Sequence, residues 1–342
     1  MALNSSANQL SKTLNVQTAE ADVKRTRMRK RVFFWSKIIL TFGVLGLLII
    51  TIHPKEISHA FSGARYPLVA VSLILVIPNL GLRALKWGYI LRRVKPEIKA
   101  QEVWSNLLIG FTFAVVTPGQ LGEFGRAFFI AGRPRLELIG LSFIDKWFNL
   151  LAIVLGGTAA LLFLPGLVFG RNAYLFGGCT FLVLLLWAAL FLIIMSPRWI
   201  RDLLYTINIM LPYRDKIKVL LSGLDPIHRK HALILALIAI LHYVVVLVQF
   251  YLLVLSFQAV NFIDAVRASA ATLFTKAALP ISIGGLGVGE TASVGFFKIF
   301  EVSQAAAFNS SVMLFSMNVL FPAILGFFIM LKLRIVPENG DE

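Results

Sequence analysis

The amino-acid sequence predicts an all-α polytopic membrane protein with six full transmembrane helices plus two broken, re-entrant helical hairpins arranged as an inverted repeat. Three observations predict it. The 342 residues are 58% hydrophobic and 15% charged, with a mean hydropathy of +0.81, against roughly half apolar and a quarter charged in an average soluble domain. The apolar residues fall in blocks of about 20 or more, separated by basic loops and lacking the polar face of a soluble core helix. Two further apolar blocks are split at their centres by proline and glycine.

Uninterrupted blocks lie at about 33–53, 66–91, 138–164, 173–195, 232–257 and 304–331. At about 1.5 Å per residue, each can cross a hydrocarbon core of about 30 Å. The split blocks are about 103–131, interrupted by Thr117-Pro118-Gly119, and about 265–302, interrupted by Leu279-Pro280 and Gly284-Gly285-Leu286-Gly287. Proline lacks the backbone donor and clashes with the preceding turn, while glycine tolerates unwound backbone. Each block is therefore expected to break, leaving halves too short to cross.

The formal net charge of +16 does not point to nucleic acid, because the basic residues flank apolar spans instead of gathering on one soluble face. Roughly seventeen Lys and Arg lie in 24–31, 92–102 and 196–231, and about three in the alternate stretches 54–66, 165–172 and 258–264. The positive-inside rule places the first group in the cytoplasm. Both termini then lie inside, and the hairpins enter from opposite faces, 103–135 from inside and 265–302 from outside. The expected location is a plasma (inner) membrane.

The predicted organisation is a cytoplasmic tail over 1–31, polar and disordered through residue 23 and then basic (KRTRMRKR, 24–31), followed by a transmembrane domain over 32–335. Its first half covers about 32–195, a cytoplasmic loop 196–231, and its second half about 232–335. In the loop, Trp199, Leu203, Leu204, Ile207 and Met210 recur at helical spacing, which predicts an interfacial amphipathic helix. The polar stretch ahead of the first block lacks a signal-peptide cleavage site and is expected to be retained.

Soluble-enzyme signatures are missing: no H-E-x-x-H, no Walker-type glycine loop, no Cys/His metal cluster and no G-x-S-x-G elbow. A lone cysteine, Cys179, excludes an intrachain disulfide. No enzymatic activity, cofactor or metal is expected.

Ionisable groups at membrane depth cost a few kcal/mol unless a partner or wet cavity offsets them, so they mark candidate sites. Glu123 and Arg126 stand one helical turn apart after the first break. Asp145 and Lys146 enter the next span, followed by Asn149, and Lys276 and Glu290 flank the second break. With the break residues Pro118, Gly119 and Gly122, and Pro280, Gly284, Gly285 and Gly287, these define an expected polar cavity for substrate binding and translocation. Half-helix N-termini would offer N–H groups to a phosphate, and Arg126, Lys146 and Lys276 would add charge-assisted bonds. Arg83 and Lys86 read as cations snorkelling at the cytoplasmic end of the second span, with Lys86-Trp87 as a headgroup-level marker in the alternative. His242, inside an apolar span, reads as a hydrogen-bonded interhelical histidine.

The two breaks look alike. TPGQLGEFGR (117–126) and LPISIGGLGVGE (279–290) each run from a proline through glycines to Leu-Gly and a Gly-Glu pair. Discontinuous helices in corresponding places of two halves point to a transporter site near the bilayer midplane.

TPGQLGEFGRAFFI (117–130) resembles the Pro-Gly-x-Leu-Gly-Glu-x-x-Arg element of the lysylphosphatidylglycerol synthase transmembrane family, which also covers stand-alone proteins described as flippase-like. LPISIGGLGVGE resembles its second element, the stretch 144–149 (IDKWFN) is similar to an acidic-basic-x-x-acidic element between them, and Lys86-Trp87 to an earlier basic-Trp pair. The likeness covers about 30–335 and implies translocation of lipid between leaflets. Gln120 and Gly289 stand where the family often has arginine, and Asn149 replaces the usual acid; with two cations fewer at the site, the anionic or aminoacylated lipid of relatives keeping them does not carry over to this chain. Full-length family synthases carry a soluble aminoacyl transferase domain after the membrane module. Only about ten residues follow the last block here, so any synthase is expected to be a separate protein.

The expected function is therefore flipping of a lipid or lipid-linked precursor, with membrane lipids bearing a phosphate headgroup as partners. The alternative is a non-transporting module that docks or regulates a lipid-modifying synthase or glycosyltransferase.

Overall fold

The computed structural model describes residues 62–164, 173–195, 214–222 and 228–332. Five helices in it are long and apolar enough to cross a membrane: Tyr66–Leu91, Arg135–Leu162, Tyr174–Leu192, Arg229–Phe257 and Gln304–Lys332. They coincide with five of the six expected crossings. The block at 33–53, the tail 1–31 and the amphipathic stretch 199–210 lie outside the described residues.

The first described span is interrupted where a proline follows. Helices α1 (Tyr66–Ile74) and α2 (Val76–Leu91) meet at Leu75. Pro78, four residues beyond Ile74, supplies no N–H to that carbonyl and crowds it with its ring. Next come α3 (Ala100–Val115), a 3-10 segment (Leu121–Phe129) and the 28-residue α4 (Arg135–Leu162). Helices α5 (Ala173–Met195), α6 (Arg214–Ser222) and α7 (Arg229–Phe257) follow. Helix α8 (Phe262–Ala278) starts on Asn261, whose side chain accepts from the Ile263 amide. After α9 (Val288–Lys298), the Ser303 hydroxyl caps α10 (Gln304–Phe315) in the same way. A π turn (Ser316–Leu320) joins α10 to α11 (Phe321–Lys332). That turn has a local cause: Pro322 cannot bond the Asn318 carbonyl four residues back, so the ladder widens there.

Small residues bring the helix backbones together, as expected where lipid removes the hydrophobic drive between helices. A Cβ at Gly326 of α11 would overlap the Leu108 carbonyl of α3, beside which Thr112 Oγ1 donates to the Ala323 carbonyl at 2.8 Å. Gly157 of α4 similarly admits Phe274 of α8, and Gly140 admits the Leu220 carbonyl of α6. The main core gathers Trp87, Leu107, Leu138, Leu141 and Ala271. Helix α5 turns Phe181, Leu184 and Phe191 outward, a surface suited to hydrocarbon.

Both split blocks break at the expected residues. α3 ends at Val115 and α8 at Ala278, and helical geometry resumes only at Leu121 and Val288, after left-handed glycines at 119 and at 284, 285 and 287. The 3-10 geometry of 121–129 follows from Gly122 and Gly125, three residues apart and both pressed on Phe113. A Cβ at Gly122 would overlap the Phe113 carbonyl, and one at Gly125 would lie 3.1 Å from the Phe113 ring.

A cationic cavity at two joined helix breaks

The two breaks meet. Pro118 and Ile283 form an antiparallel bridge in which the Gly119 amide donates to the Ser282 carbonyl at 3.3 Å and the Gly284 amide to the Thr117 carbonyl at 3.2 Å. Gln120 Nε2 adds a third bond to the Gly284 carbonyl at 3.2 Å. Gly119 and Gly284 lie in the left-handed region, at φ 58° and 62°. A Cβ on Gly119 would also come within 2.6 Å of Pro280, so the approach needs glycine there.

Two helix-end amides at the breaks are taken up by side chains of the protein itself. Gly122 N–H donates to Thr117 Oγ1 at 2.6 Å, and Gly287 N–H, opening α9, donates to Glu290 Oε2 at 2.6 Å. Ser311 Oγ donates to the other Glu290 oxygen at 3.2 Å. Glu290 thus caps its own helix, so the opening amide of α9 is not free for the anion that half-helix N-termini were expected to receive.

Those cations form one network across α2, the 3-10 segment and α4. Glu123 Oε1 lies 2.9 Å from Arg83 and 3.6 Å from Arg126, and Glu123 Oε2 lies 3.8 Å from Lys146. Asp145 pairs with Arg126 at 3.0 Å and with Lys86 at 3.1 Å. Lys86 Nζ also donates to the Asp145 carbonyl at 2.8 Å and to Asn149 Oδ1. The Arg126 guanidinium lies 3.6 Å over the Trp87 ring and donates to Ser142 Oγ at 3.1 Å, while Trp87 Nε1 donates to Asn106 Oδ1 at 2.8 Å.

Arg83 and Lys86 are thus not snorkelling: both are paired, Lys86 is 1% exposed and Trp87 is fully buried. Sequence depth alone does not reveal that their helix face turns inward. Their partners lie 40 and 59 residues away, and the cue available was two cations one turn apart on a span otherwise free of charge.

Beside the network and the joined breaks lies a cavity of about 500 Å³. Arg83, Glu123, Lys146 and Lys276 line it, with Gly119, Gln120, Pro280, Gly285 and Gly289 from the breaks. Arg126, Asp145, Lys86 and Glu290 are not on its wall but stand behind it, each nearly or fully buried. Asp145 and Lys146, adjacent in sequence, point to different sides of α4 because consecutive helical residues diverge by about 100°. Lys146 Nζ reaches the Gly119 and Gln120 carbonyls at 3.2 and 2.8 Å. Lys276 has no ion-pair partner among the described residues, and its Nζ lies 5.3 Å from the Phe315 ring centroid. Its stem fills the space over Gly285 and Gly289.

A hydrogen-bonded row adjoins the cavity, with Asn79, His242 and Asn318 on its wall and the buried Gln249 behind them. Asn318, carried inward on the π turn, donates to Gln249 Oε1 at 2.7 Å, and Asn79 donates to the same oxygen at 3.4 Å. His242 Nε2 lies 3.2 Å from Asn79 Oδ1, the interhelical bond expected for that histidine. Asn79, Gln249 and Asn318 were not anticipated as site residues, since single amides in apolar spans carry no motif.

Taken together, apolar spans, broken helices joined by their backbones and buried charge at the join define a multi-pass helical membrane protein with a polar interior. Residues 34–326 match the family described as lysylphosphatidylglycerol synthase TM region, and the chain belongs to that family. It is also similar to Glycosyltransferase AglD of Haloferax volcanii, 27% identical over 145 residues, which cover 40% of this chain and 23% of that protein.

Proposed function

We infer that the chain moves a lipid or lipid-linked precursor between leaflets, passing a phosphate-bearing headgroup through the cavity between two re-entrant hairpins that form an inverted repeat. The observation that carries this reading is the excess of cations around a cavity walled by unwound backbone, a combination costly in hydrocarbon unless it meets a polar ligand. Helices α3 and α8 have 16 and 17 residues, about 24–26 Å at 1.5 Å per residue, short of a core of about 30 Å. That length favours re-entry over crossing. Movement would be passive, potential-driven or ion-coupled, with both termini in the cytoplasm of a plasma (inner) membrane and no enzymatic step.

The test is leaflet exchange of labelled anionic, zwitterionic and isoprenoid phosphate lipids in vesicles containing the purified protein. Exchange above that of empty vesicles is expected for phosphate-bearing lipids, and exchange equal to empty vesicles for every lipid would overturn the reading.

A second reading is a non-transporting module that docks or regulates a lipid-modifying synthase or glycosyltransferase. It draws on the likeness to a protein named as a glycosyltransferase, of which the similar stretch is a minor part. Lys146→Gln separates the two readings: transport should fall in that variant, whereas a docking module should keep its partner bound and active.

A further inference from the structure

We propose that the cavity is built for a doubly charged phosphate, a phosphomonoester or diphosphate as opposed to a singly charged phosphodiester, and that Glu123 is the internal carboxylate holding its cations while it is empty. This rests on the reading of the cavity as a headgroup site and names the headgroup's charge.

Three cations reach the wall from three different elements, Arg83 from α2, Lys146 from α4 and Lys276 from α8, and one carboxylate, Glu123, reaches it with them. The wall therefore carries an excess of two positive charges. Adding the groups behind it leaves the excess unchanged: Lys86 and Arg126 both pair with Asp145, and Glu290 acts on Lys276 from behind the wall, two cations and two acids in all. Uncompensated charge in a low-dielectric interior is costly, so the ligand that completes the site brings two negative charges. A phosphodiester brings one. A phosphomonoester, with a second pKa of about 6, brings nearly two at neutral pH.

Glu123 occupies the place such an anion would take, and only its bond to Arg83 is short. Its distances of 3.6 Å to Arg126 and 3.8 Å to Lys146 exceed the roughly 2.7–2.9 Å of a charge-assisted bond. A phosphate with three terminal oxygens offers one acceptor to each of the three cations that line the cavity, which one carboxylate on a short side chain does not.

The experiment uses the full chain in phosphatidylcholine nanodiscs at pH 8, with affinity read from thermal stabilisation. Phosphatidic acid supplies the lipid dianion, phosphatidylglycerol the lipid monoanion, and inorganic phosphate the dianion without a lipid. Phosphatidic acid should bind about tenfold tighter than phosphatidylglycerol, one charge-assisted bond's worth. Lys276→Gln should erase most of that preference, Glu123→Gln should tighten phosphatidic acid, and Arg267→Gln, outside the cavity, should change neither.

Equal affinity for the two lipids, an unchanged preference in Lys276→Gln, or weaker phosphatidic acid binding in a folded Glu123→Gln protein would each overturn the proposal. Should Glu123→Gln fail to fold, the Lys276→Gln result decides alone. Inorganic phosphate binding as tightly as phosphatidic acid would support the dianion site and assign it to a soluble ligand, against lipid transport. Tight phosphatidic acid binding without leaflet exchange likewise keeps this proposal and removes the transport reading, while exchange without the charge preference does the reverse.

Discussion

The two helix breaks share a sequence pattern and differ in what their acid does. After the first, Glu123 stands on a 3-10 segment facing three cations from three elements. After the second, Glu290 folds back on the amide that opens its own helix, with Ser311 on its other oxygen. One carboxylate is shared across the fold and faces the cavity, and the other is absorbed locally behind it. The cause is the amide at each N-cap. Both acids stand three residues after their N-cap, Gln120 and Gly287, but the Gln120 amide already donates to the Thr117 carbonyl at 3.2 Å, whereas the Gly287 amide is left for its own acid, the reciprocal bond of a capping box. A repeated motif thus supplies a repeated backbone turn without a repeated chemical role.

The sharpest way to break this comparison is to remove the shared side of the network. Arg126→Met leaves Asp145 with Lys86 alone and removes the cation over Trp87, and loss of a buried partner costs about 3–5 kcal/mol. Denaturant unfolding in detergent should show a loss of that size. Next comes Gly122→Ala, whose methyl would overlap the Phe113 carbonyl; overpacking of that kind costs about 1–3 kcal/mol, read from the shift of the same unfolding midpoint. Glu290→Gln should be milder, about 1 kcal/mol, because an amide still accepts from Gly287 and only the charge is lost. Leaflet exchange by that variant should stay close to wild type. A Glu290→Gln protein as unstable as Arg126→Met, or folded but inactive, would erase the distinction between the two acids. The smallest effect has the opposite sign: Gly295→Ala on α9 meets open space and should stabilise by about 0.5–1 kcal/mol, measured as a rise in Tm.

Much of the fold was legible in the sequence because lipid imposes length and composition on whole segments. The five described spans and both break positions follow from apolar run length and from Pro118, Pro280 and their glycines. Orientation on a helix was less accessible. Glu123 and Arg126 could be paired by their spacing of three, but Arg83 with Glu123 and Lys86 with Asp145 depend on how α2 is rotated against its neighbours. Nor does sequence adjacency show that Asp145 and Lys146 serve different sides of α4. The bridge between the breaks was likewise hidden, since main-chain bonds between residues 119 and 282 leave no mark on side-chain identity.

That bridge has an evolutionary consequence. Its two main-chain bonds would form with many side chains at the rim, provided the glycines keep their left-handed turns. Mutation can therefore redecorate the cavity wall while the seam beneath it survives, so one scaffold can vary its lining without first relearning how to fold.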